Sequence, residues 1–130
     1  MQDNNYFEQL ALKLEKKYSG YIEIYRLTKE LDDVLKRNDR ESVKIVMRMR
    51  VEEMDKINVI NEEIEEILTL LPKDKVEVIK NYKKYSEYPQ EVQKIIELTK
   101  RNNMVIEKTI EIDKVLNNRI SGRKSFYGGI

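Results

Sequence analysis

The sequence predicts an all-α fold: a long antiparallel helical hairpin, a short connecting helix and a third long helix, packed as a coiled-coil-like bundle of three or four helices. Three observations point there. Charged residues make up 38% and hydrophobic residues 40% of the 130 residues, the balance of amphipathic helices with one buried face and a solvated remainder. Helix breakers are scarce, with four Gly and two Pro, and only Gly20 precedes Pro72. Apolar side chains recur every three or four residues along most of the chain, as one face of a helix requires. The length fits one domain, a helical bundle over 1–120 followed by a flexible tail over 121–130.

The first helix is expected from about Asp3 to Arg37, where Phe7, Leu10, Leu14, Tyr21, Ile24, Thr28, Leu31 and Leu35 form a stripe close to a heptad. Gly20 interrupts it. Glycine lowers helix propensity by about 1 kcal/mol relative to alanine, so it marks a bend or a close helix crossing. Asn38-Asp39 breaks the pattern, and Asp39 is placed to accept hydrogen bonds from the free amides of the next helix, with Glu41 adding charge favourable to its dipole. The second helix runs from about Arg40 to Leu71 through Val43, Val46, Ile57, Ile60, Ile64 and Ile67, and stops at Pro72. At about 1.5 Å per residue the two helices are each about 50 Å long and pair as matched arms. Arg50 and Glu53 fall inside the second stripe. Their spacing lets each partner the other, either to fix helix register or to grip a partner.

From Lys73 the pattern resumes with Val76, Ile79 and Tyr82 and falters over Tyr85-Ser86-Glu87-Tyr88-Pro89. This reads as a short helix, a break, and a last helix from about Pro89 to Ile120, since proline suits a first turn. Val92, Ile95, Ile96, Thr99, Ile106 and Ile110 define one stripe of that helix, and Leu98, Val105, Ile112 and Leu116 a neighbouring one. Together they cover about 200°, twice what a surface helix needs. The part that the hairpin leaves uncovered would be a binding surface. Asn103 falls beside Thr99, Ile106 and Ile110, where it either fixes packing or bonds a guest helix, and Asn102 lies next to it.

Chemistry is restricted by what is missing. The chain has no His and no Cys, which excludes imidazole bases, His-activated nucleophiles, reactive thiols, disulfides and the usual zinc sites. No enzyme activity, catalytic residue, cofactor or metal is expected. The cluster Glu62, Glu63, Glu65 and Glu66 lies between the apolar positions and reads as a solvated face. Tyr82, Tyr85 and Tyr88 form either a partner-binding belt or the edge of the core. Residues 1–72 carry 12 basic and 16 acidic side chains and the rest 13 and 8. The basic tail residues Arg119, Arg123 and Lys124 are too few for a nucleic-acid footprint. With no signal peptide and no apolar span, a cytoplasmic protein without membrane insertion is expected.

Four segments resemble the FlgN-type flagellar export chaperones and the related FliT-type ones. Leu35-Lys36-Arg37-Asn38-Asp39 is similar to the joint between the first two helices of that family. Met47-Arg48-Met49-Arg50-Val51-Glu52-Glu53-Met54 is similar to its basic residue followed by Glu and an apolar residue. Leu98-Thr99-Lys100-Arg101-Asn102-Asn103-Met104-Val105-Ile106 resembles the leucine, asparagine and aliphatic run of its last helix, and Tyr127-Gly128-Gly129 its closing Tyr-Gly. The resemblance implies a cytoplasmic type III export chaperone that binds the C-terminal helical region of hook-filament junction proteins and delivers them to the export apparatus. On the FliT-type reading the client is the filament cap protein. The expected client surface is Leu98, Asn102, Asn103, Val105, Ile106, Ile112 and Leu116 on the last helix. A self-associating coiled-coil scaffold, its wide arc buried in a homodimer, is the alternative.

Overall fold

The computed structural model describes residues 2–81 and 88–116. Four helices account for them: α1 (Gln2–Lys36), α2 (Arg40–Leu68), α3 (Lys73–Lys80) and α4 (Gln90–Leu116). The tail over 121–130, Tyr82 and Tyr85 lie outside the described residues.

The joint between α1 and α2 follows from two residues. Asn38 takes the left-handed conformation, φ 56°, which asparagine tolerates better than most side chains. The turn closes as the Asp39 N–H donates to the Val34 carbonyl at 3.0 Å and the Asn38 N–H to that of Leu35 at 3.2 Å. Asp39 then caps α2 as expected, accepting from the Ser42 N–H at 3.1 Å and the Ser42 hydroxyl at 2.7 Å. These bonds hold its carboxyl below the ordinary aspartate value. At the far end α2 stops at Leu68, three residues short of the expected Leu71. The last residues tighten into a turn in which the Leu70 N–H donates to Ile67 at 2.9 Å, and Leu71 is still buried.

α1 is the central element, with α2 antiparallel and α4 parallel to it, each packing chiefly on α1 rather than on the other. Gly20 is the close crossing of the hairpin: a Cβ there would sit 3.0 Å from Ile57 Cδ1 and Cγ1. The side chain missing at Gly20 is what lets the two backbones approach.

Three apolar clusters follow one another along the bundle. The first joins all four helices through Phe7, Leu10 and Leu14, Ile64 and Leu68, Ile79, and Ile95. The second contains Tyr21, Ile24, Met54, Ile57 and Ile106, and the third Leu27, Leu31, Val34, Val46 and Leu116. Buried polar side chains occupy the sequence intervals between them, Lys17 and Asn102 between the first and second and Arg50 and Thr109 between the second and third, while Thr28 lies within the third. Tyr88 is half-buried against the first cluster.

Candidate functional site

The seven side chains expected to form one surface on α4 are placed in three different environments. Leu98, Asn102, Ile106 and Leu116 point into the chain's own core. Val105 and Ile112 are half-buried, packed at the edges of the second and third clusters. Asn103 is exposed. The wide apolar arc is therefore largely consumed by α1, and only its margin remains in contact with solvent. The expected place of Asn103 on the apolar stripe is also corrected. It is Asn102, 1% exposed, that continues the spacing of Thr99, Ile106 and Thr109, because a three-four rhythm from Thr109 through Ile106 lands one residue earlier.

Asn102 links α4 to α1 directly, since its Nδ2 donates to the Leu14 carbonyl at 3.2 Å. Its Oδ1 is buried without a hydrogen-bond partner. The hydroxyls of Thr99 and Thr109 are satisfied within α4, donating to the Ile95 carbonyl at 2.8 Å and the Val105 carbonyl at 2.9 Å, a pattern that lets a hydroxyl enter a core cheaply.

Arg50 does not pair with Glu53. Its guanidinium crosses to Asp113 of α4 at 2.5 Å, while Glu53 takes Lys56 at 3.2 Å. The spacing that made Arg50 and Glu53 neighbours could not foresee an acid 63 residues away. The expected pair with Glu53 is replaced by a cross-helix one that ties α2 to α4, which otherwise meet mainly through α1. The pair is nearly enclosed, so its desolvation offsets much of its attraction.

Lys17 is the buried residue that the stripe omits. It is 1% exposed and lies midway between Leu14 and Tyr21, where the three-four rhythm demands a core position. That skipped turn was the available signal. Burial lowers the Lys17 ammonium from 10.5 to about 8, with the Glu65 carboxylate acting in the opposite direction. The ammonium stands 5.4 Å from the centre of the Tyr21 ring, whose hydroxyl burial pushes well above its usual value.

The solvent-facing margin of α4 has a definite composition. Met104 is 60% and Val115 73% exposed, and eleven residues apart they stand on one line along the helix. Val105 and Ile112 lie between that line and the core. Facing them is the flank of α1 that carries Tyr18, where the Arg101 guanidinium lies 3.7 Å from the ring centre and bonds Glu15 at 2.9 Å. A cleft of about 280 Å³ between the helices is lined by Asp32, Lys36, Glu111, Ile112 and Val115. A second, of about 540 Å³ and lined in part by Phe7, Glu8, Ala11, Lys94 and Ile95, opens between α1 and α4 at the opposite end.

Glu63 of the acidic cluster is engaged by Lys13 at 2.8 Å and Glu65 by Lys80 at 4.0 Å. Among the described residues no acidic group is arranged to hold a metal ion, and no helix is long and apolar enough to cross a membrane. No model of a known protein family matches the chain, and no curated protein or solved structure does.

Proposed function

We propose that this protein is a non-enzymatic helical export chaperone of the FlgN type, acting in the cytoplasm to cover an amphipathic helix of its client. The observation that carries the reading is the apolar margin of α4, Met104, Val105, Ile112 and Val115, running beside the clefts between α1 and α4. A guest helix laid along that margin would meet aliphatic side chains flanked by charges of both signs, the pattern of helix-in-groove recognition. In this reading Leu98, Asn102, Ile106 and Leu116 support the surface from inside the bundle and Asn103 borders it.

The client class, the C-terminal helical region of hook-filament junction proteins, rests on the four sequence segments that resemble the family, and so does delivery to the export apparatus. The test is titration of the full chain with such a client peptide by calorimetry. Saturable binding by the wild type, lost in Met104→Glu or Val115→Glu while helicity is unchanged, supports the proposal. Binding of a filament cap peptide instead would move the protein to the FliT-type role, and binding of neither would remove the export reading.

A further inference from the structure

The outer flank of α2 carries a second seam that neither the core nor the α4 margin uses. Ile45, Met49, Glu52, Lys56, Val59 and Glu63 succeed one another at alternating intervals of four and three residues, the rhythm of a coiled-coil seam. Ile45, Met49 and Val59 are exposed large apolar side chains, Val59 at 55%. The seam lies about 140° around α2 from Arg50, the side chain that reaches α4. It is therefore clear of the proposed client surface, and the inference drawn from it does not depend on that surface.

We infer that this flank of α2 is an interface between two copies of the chain, paired antiparallel about a twofold axis. The argument is the self-complementarity of the seam. In an antiparallel pair, residues meet in twos, and the alignment that sets Glu52 against the partner's Lys56 also sets Lys56 against the partner's Glu52. The same alignment places Met49 on the partner's Val59, twice. Ile45 then lies on the aliphatic stem of the partner's Glu63, whose own chain already engages its carboxylate through Lys13 at 2.8 Å. The charged pair and the Met49–Val59 pair thus each form twice with no residue inserted or skipped, as an isologous contact requires, and Ile45 meets only the stem of the partner's Glu63. Shifting the alignment by one turn to centre on Glu52 would set Ile45 on the partner's Val59 but oppose two carboxylates and set Arg48 on the partner's Lys56, so the charges disfavour that register.

Lys56 bonds Glu53 of its own helix at 3.2 Å and remains largely exposed, so its ammonium has donors to spare for a second carboxylate. Three apolar side chains from each copy and two ion pairs at the centre of the seam belong to the small end of protein interfaces, which corresponds to a dissociation constant above about 1 µM.

Sedimentation equilibrium of the full chain from about 1 µM to about 1 mM tests this. The mass is expected to rise from 15.6 kDa toward twice that value. Glu52→Lys alone and Lys56→Glu alone should each weaken association at least about tenfold. The double exchange Glu52→Lys/Lys56→Glu should restore it. An equimolar mixture of the two single variants should associate more tightly than either does alone, because each then meets an opposite charge at both positions; no effect within one helix produces that result. Circular dichroism of each variant verifies that the exposed substitutions leave the helices formed, and Met49→Ser/Val59→Ser, which touches no charge, should also dissociate the pair. A wild type that stays monomeric throughout overturns the inference, as does a mixture no tighter than its components. Loss of the dimer in Val115→Glu overturns it too, by placing the contact on α4.

Discussion

The end of the bundle around Phe7 and the stretch beyond Lys17 are built on different principles. At the first, four helices contribute apolar side chains to one continuous cluster, with Leu10, Leu14 and Ile96 fully enclosed. Beyond Lys17 the core is repeatedly interrupted, by Lys17 and Asn102 and then by Thr28, Arg50 and Thr109 with Asp113 beside them. Apolar contacts stabilise without much regard to register, because one aliphatic pair resembles the next. A buried charge or amide is costly unless its partner arrives at one position, so the interrupted stretch specifies how α2 and α4 align on α1.

Removing one member of the enclosed ion pair should have the largest effect. Asp113→Ala leaves the Arg50 guanidinium buried without the carboxylate that crosses to it, and chemical denaturation should report a loss of about 3–5 kcal/mol. Arg50→Met with Asp113→Leu should be near neutral or stabilising. A double change as costly as the single one would mean the pair supplies stability after all and would erase the contrast. In the first cluster Leu14→Ala should cost about 2–5 kcal/mol, with no second substitution able to restore it except another apolar one.

Next is the hairpin crossing. Gly20→Leu should destabilise by about 1–3 kcal/mol, since its side chain would displace the enclosed Ile57. Gly20→Ala should change stability by less than about 1 kcal/mol, its gain in helix propensity being offset by the 3.0 Å approach to Ile57.

The pH dependence of the polar layer has a distinct sign. Between about 8 and 10.5 the unfolded chain holds the Lys17 proton that the folded chain has released, so stability should rise with pH across that window. Above about 10 the unfolded chain loses the Tyr21 proton that burial retains in the fold, and stability should fall again. Thermal melts should therefore show a maximum near pH 10. In Lys17→Met the rise should disappear and the fall remain; a rise that survives would assign it to another group. Smallest of all, Met104→Glu and Val115→Glu should move stability by no more than about 0.5 kcal/mol, as exposed positions do, which makes them clean probes of client binding.

The hairpin, the cap at Asp39, the close crossing at Gly20 and the short α3 were legible because each depends on neighbours in sequence: a repeat interval, a capping side chain, a glycine, a proline. The candidate site was legible only in part. Whether Leu98 and Ile106 face a guest or the core depends on how much of α4 is covered by α1, and periodicity gives the width of an apolar arc without saying what covers it. The same holds for Asn102, whose partner is the Leu14 carbonyl far away in the chain.

Composition and periodicity by themselves determined that this protein is a set of amphipathic helices without imidazole or thiol chemistry, because helix formation and the residue inventory are local properties. Only the tertiary structure decided that Arg50 belongs to Asp113, that Lys17 is enclosed, and that the apolar surplus of α4 shrinks to the margin from Met104 to Val115. Those outcomes depend on which surfaces of three helices meet, a choice made by the summed burial and desolvation of the whole bundle rather than by any one segment.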